Sequence, residues 1–199
     1  MKKYAVLFLL LSSCAAINRV SDVDINENFP HDEIQKIAVI MFETLEDEKK
    51  GGWAISKTSI SPDAGELLAS MTARELAKWG RYIVVNRKAL EKELKLRNLK
   101  EEDFLLTQNY LDLGTVLGVD AVIVGSIEGF GVSYKPKSTG LFLSPLVTKV
   151  SFTARCVDVT TNEAVWAVKI KGSSTEDNEK VLSFKLIAEA FEKLKAKLN

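Results

Sequence analysis

Cysteine and histidine are nearly missing from this chain of 199 residues, which holds two of the first and one of the second. Zinc and other soft metals take their ligands from clustered Cys and His, so no metal centre of that kind is expected. Two cysteines cannot build the disulfide framework of a small secreted module either. An excess of one charge is also absent. The 27 basic residues are balanced by 27 acidic ones, and no basic stripe of the sort nucleic acids require is visible. Long apolar runs are missing: the longest, Tyr4 to Leu11, falls far short of the roughly 20 residues of a membrane-spanning helix. With His31 alone and no clustered acid pair, no constellation offers a nucleophile, a base and an orienting group together. The expectation is therefore no enzyme, no catalytic residue, no metal and no cofactor. What remains, 46% apolar and 27% charged residues, is the composition of a globular domain that buries its own core.

The N-terminus has a layout of its own. Lys2 and Lys3 precede the apolar run, and Ser12, Ser13 and Cys14 follow it, in the order of a secretory signal peptide. The stretch Leu11-Ser12-Ser13-Cys14 resembles the lipobox of bacterial lipoproteins. That resemblance implies a signal peptide over residues 1–13, with Cys14 acylated as the first residue of the mature protein. An ordinary secreted chain cut nearby, with Cys14 incidental, is the other reading. The residue after the cysteine is Ala15 rather than aspartate, which in lipoproteins implies the outer membrane. Residues 14–34 are rich in Asn, Asp and Ser, lack helical periodicity and contain Pro30. They read as a flexible tether, with His31 as a solvated residue within it.

Residues 35–199 read as one α/β domain. Lys36 to Glu43 is a nearly continuous apolar run, the pattern of a strand covered on both faces. A long connection to Ile60 follows, carrying Trp53 beside two glycines. Ser61-Pro62 has the form of a helix start, and Gly65, Leu68, Ala69, Thr72, Leu76 and Trp79 fall on one helical stripe. Tyr82 to Val85 predicts a second buried strand. Asn86 predicts a cap for a charged helix that turns Leu90 and Leu94 inward. A short helix is expected near Asn109 to Leu117 and a third strand at Ala121 to Ile127. The glycines from Gly125 to Gly131 do not make a phosphate loop, because no helical pattern follows them. Val150 to Asp158 alternates as a half-buried strand, placing Cys156 in the core, and Thr160-Thr161-Asn162 turns it into a partner strand. The last helix, near Glu179 to Leu198, is expected to bury Val181, Phe184, Ile187, Ala188, Phe191, Leu194 and Leu198. The order of elements predicts a mixed sheet of about five strands packed by helices.

Four segments resemble the CsgG family of outer-membrane lipoproteins: Lys36-Ile37-Ala38-Val39; Tyr82 to Arg87 with Leu90; Leu117 to Ile127; and Val157 to Glu163. The family is related in fold to LpoB, the penicillin-binding-protein activator. The resemblance implies a periplasm-facing domain anchored in the outer membrane, binding envelope proteins, self-associating, and serving secretion or surface assembly. Activation of a peptidoglycan synthase and an oligomeric secretion channel are the alternatives it leaves open. The channel reading fits less well: membrane hairpins need about 9 to 11 residues per strand, whereas Val132 to Lys149 carries two prolines and the second hairpin's place holds few residues. Exposed apolar groups tend to mark interfaces, so Trp53, Leu141, Phe142, Leu143, Leu146 and Val147 form the candidate contact surface.

Overall fold

A computed structural model of the chain describes residues 18–44, 60–106, 109–133 and 146–199. Seven strands form one mixed sheet: β1 (Asn18–Ile25), β2 (Lys36–Val39), β3 (Glu43–Thr44), β4 (Ile83–Val85), β5 (Ala121–Ser133), β6 (Val147–Asp158) and β7 (Ala164–Ser174). Their lateral order is β1-β7-β6-β5-β2-β4, and β3 pairs β5 alongside β2. β2, β3 and β4 join through parallel ladders, while β5, β6, β7 and β1 form an antiparallel meander. The five helices described are α1 (Ala64–Trp79), α2 (Arg87–Leu96), α3 (Glu101–Leu106), α4 (Tyr110–Leu117) and α5 (Glu179–Leu198). The expected α/β class with helix-packed mixed sheet is the one observed, widened by β1 and β3.

The two sheet faces are covered unequally. On one, α1 and α5 pack over Ile37, Ile123, Phe152, Val168 and Ile170 in the larger core. On the other, Leu90 and Leu94 of α2 and Leu113 of α4 cover only Ala38, Ile40, Val122, Val124 and Val157. Side chains alternate across a strand, so β6 sends Phe152, Ala154 and Cys156 into the larger core while Ser151, Thr153 and Arg155 point the other way.

The motifs that carry the family resemblance include the staples of this fold. The carboxylate of Asp120 accepts the backbone N–H groups of Gln35 (3.0 Å) and Lys36 (2.7 Å), fixing where β2 begins. Lys36 Nζ donates back to the carbonyl of Gly118 at 2.9 Å. Gly118 ends α4 at φ +59°, a left-handed value that suits glycine. Asp158 Oδ1 accepts from Thr160 and Thr161 at 2.9 and 2.6 Å and sets the β6–β7 turn. Gly125 is required by contact: a Cβ there would lie 2.5 Å from the Phe42 ring.

Several expectations are corrected. The tether does not extend through residue 34, because residues 18–25 form β1 and pair with β7 from Asn18↔Ser173 to Ile25↔Trp166. Its Asp and Ser residues suit an edge strand with polar surroundings, which apolar periodicity does not reveal. His31 is not free in a linker. Its Nε2 lies 2.9 Å from the Asn26 carbonyl and its ring packs 5.8 Å from that of Phe29. β4 is an edge strand rather than a buried one, with Ile83 67% exposed. α1 begins at Ala64, not at Ser61. α5 buries Leu182, Ser183, Leu186, Ile187, Ala190, Phe191 and Leu194, a stripe turned from the expected one. Val181 and Phe184 are left exposed, and Phe184 sits beneath the cations of Arg74 and Lys78 at 5.1 and 5.2 Å.

Candidate binding surface

Beyond α4, no described element covers the second face of the sheet over β7, β1 and most of β6, and its side chains there are mostly polar, with Val20 the exposed apolar exception. Along β7 it presents Lys169 and Lys171; the register sets Asp22 and Val20 of β1 opposite them. On β5 a bulge between Ile127 and Gly129 pushes out Glu128. Its carboxylate meets Lys171 Nζ at 3.0 Å, Lys169 Nζ at 3.9 Å and the hydroxyl of Ser151 at 2.9 Å. The hydrogen bonds from Lys171 and Ser151 hold this carboxyl below its ordinary range. A cleft of about 140 Å³ opens where α4 meets this bare face, lined by Glu43, Tyr110, Ser126, Thr153 and Arg155 among others. It offers hydroxyls and both charges without a nucleophile backed by a base.

A second polar site lies at the C-terminal end of β2. Arg87 and Glu101 form a two-pronged pair, Nη1 to Oε1 and Nη2 to Oε2, both 2.8 Å. The same pair serves the backbone past the point where β4 stops: Glu101 Oε1 accepts Met41 N–H at 2.5 Å, and Arg87 Nη1 donates to Val39 O at 3.4 Å. Two side chains thus stand in for a strand. Burial opposes the charge on Arg87, but the hydrogen bond and charge of Glu101 outweigh it and raise the guanidinium's pKa. A cleft of about 490 Å³ beside this pair is lined by charges of both signs, including Glu66, Glu91, Lys95 and Lys100.

Of the sequence-expected contact residues, Leu146 is 51% exposed at the start of β6 and Val147 beside it is half-buried. Trp53, Leu141, Phe142 and Leu143 lie outside the described residues, as does Cys14. Val132 sits one pair along the β5–β6 ladder, exposed like Leu146, so this end of the hairpin is apolar. Cys156 is wholly buried, and desolvation, with the charge of Asp158 second, pushes its thiol far above the ordinary value. Among the described residues no group of three His, Cys, Asp or Glu could hold a metal ion, and no helix is long and apolar enough to cross a membrane. Sequence reasoning missed the Arg87–Glu101 pair and the Glu128 cluster, because each joins residues that only the folded chain brings together.

The architecture has relatives of known structure. PelC from Paraburkholderia phytofirmans, described as a dodecamer, overlays with a TM-score of 0.53 at 17% identity, covering 89% of this chain and 97% of its own. Lipoprotein GNA1162 from Neisseria meningitidis overlays at 0.57 with 18% identity, covering 81% and 99%. The LpoB C-terminal domain from Salmonella enterica overlays at 0.39 with 16% identity, covering 70% and 82%. For PelC and GNA1162 the likeness, at these identities, is one of fold. No curated protein matches the sequence. The family model described as curli production assembly/transport component CsgG matches residues 21–198, almost the whole of the described fold, and the chain belongs to that CsgG family.

Proposed function

We propose that this protein is an outer-membrane lipoprotein, acylated at Cys14, whose periplasmic CsgG-family domain serves secretion or surface assembly by binding envelope proteins and copies of itself. The observation that carries the reading is the family match over residues 21–198. An anchor at Cys14 lies close to the fold in this reading: β1 begins at Asn18, four residues after Cys14. At about 3.3–3.6 Å per residue, that spacing holds the domain within roughly 15 Å of a lipid at Cys14. Anchoring raises the domain's effective concentration for partners at the same membrane. Self-association is supported by the PelC relative's dodecameric state, and the exposed apolar Leu146 and Val132 at the hairpin end supply a contact surface. This reading assigns the domain no catalytic step.

The test is purification of the lipidated chain from outer membranes, with Cys14→Ser beside it. The native chain is expected in the membrane fraction together with envelope proteins, and the Cys14→Ser chain is not. A native chain found wholly in the soluble fraction overturns the anchor; one that is membrane-bound but brings down no protein overturns the binding role. For self-association, Leu146→Ser is expected to lower the mass seen by light scattering. An unchanged mass removes this patch from the interface.

A further inference from the structure

The cleft where α4 meets the second face of the sheet holds two opposite charges that meet no partner. Glu43 of β3 and Arg155 of β6 line it, and neither side chain makes a hydrogen bond or ion pair with any described residue. Their neighbours explain this. In the ladder Arg155 stands between Val124 of β5 and Ala167 of β7, and Glu43 stands beside Ser126. Neither has a group of opposite charge on a paired strand. Glu128 and Lys169, on the same face, are turned to each other at 3.9 Å.

The ladder also sets how far apart the two charges stand. Glu43, Ser126 and Thr153 form one row across three strands, and Arg155 lies two positions further along β6 on the same face. With strands about 4.8 Å apart and a rise of about 3.3 Å per residue, the two backbones are about 12 Å apart on the diagonal. Side chains stand roughly perpendicular to a sheet, so the carboxylate and the guanidinium keep much of that separation. A hydrogen bond of about 2.8 Å at each end leaves about 6 Å between the charges of a bridging ligand. Two extended residues span about 7 Å at most, and a single amino acid falls short. Ser126 and Thr153 in the row, with Tyr110 of α4, supply hydroxyls for the peptide group between. The cleft's volume of about 140 Å³ lies well below the roughly 300–1,000 Å³ of drug-sized sites, so only small side chains fit.

We propose that this cleft binds a dipeptide with small side chains, its carboxylate on Arg155 and its ammonium on Glu43. The guanidinium fork matches a carboxylate in geometry as well as charge. The proposal goes beyond the anchoring reading and does not depend on it. The test titrates the full chain with dialanine by isothermal calorimetry, beside alanine and the N-acetylated and C-amidated forms of dialanine, each of which lacks one charge. Saturable one-to-one binding of dialanine is expected. The other three ligands are expected to bind more weakly by about tenfold or more, the worth of one charge-assisted contact. E43Q and R155M, both at exposed positions, are expected to weaken dialanine binding by a similar factor while the circular dichroism spectrum stays native. The ligand series on the native chain stands as a test without either variant. Dialanine that gives no saturable heat overturns the proposal, as does native affinity in either variant or alanine bound as tightly as dialanine.

Discussion

The two faces of the central sheet are built from the same strands and have opposite fates. Phe152, Ala154 and Cys156 of β6 are buried under α1 and α5, while Ser151, Thr153 and Arg155 between them point to the bare side. Only the partner layer differs: two long helices on one face, and the shorter α2 and α4 on the other, against residues of β2, β4, β5 and β6. The larger part of the buried apolar core therefore lies on one side of the sheet. The other side is free to carry charges such as Glu128, Lys169 and Lys171 at little cost.

The widest contrast should appear in chemical access. Cys156 and a cysteine introduced by T153C lie three positions apart on one strand but on opposite faces. A thiol reagent is expected to modify the T153C site at once, and native Cys156 more slowly by on the order of a thousandfold or more, since it waits for opening of the core. Comparable rates would show that α1 and α5 do not seal that face. Next is stability: Phe152→Ala is expected to cost about 3–5 kcal/mol in urea unfolding, against less than about 0.5 kcal/mol for Thr153→Ala. Arg87→Met tests the polar exception. It leaves Glu101 buried without its partner, at a cost of roughly 3 kcal/mol; a change near zero would mean that water replaces the guanidinium.

The smallest effect belongs to Glu128. Its folded pKa is depressed, so its contribution is present above the ordinary carboxylate range and is lost as pH falls through the folded value. The carboxylate is about a third exposed, so Glu128→Gln should change stability by less than about 0.5 kcal/mol at neutral pH. The variant should also flatten the acid limb of a stability-against-pH curve. A larger loss would mean that the bare face contributes to the fold.

Much of the covered face was legible because burial writes itself into period and composition. The runs at Lys36 to Glu43 and Ala121 to Ile127, and the alternation from Val150 to Asp158, hold β2, β5 and β6, although β2 already ends at Val39. The Asn86 cap is present, its side chain accepting from Ala89 N–H at 2.9 Å. β1 was not legible, since an edge strand with aspartates on its open side and Arg19 on the other lacks the apolar signature of a strand. The phase of α5 was misread because its buried stripe includes Ser183 and Ala190, while Val181 and Phe184 lie outside. The Arg87–Glu101 pair spans two helices, and Glu128 meets Lys171 across three strands. No spacing along the chain encodes either. Of the expected contact residues, Leu146 is exposed and Val147 half-buried, and Trp53, Leu141, Phe142 and Leu143 lie outside the described residues.

The proposed function has this domain work by where it is held and what touches it. The most direct test is the mass of the N-terminal peptide of the protein taken from outer membranes. The account predicts a peptide beginning at Cys14 and carrying diacylglycerol on its sulfur. A peptide that still contains residues 1–13, or a free thiol at Cys14, would contradict it.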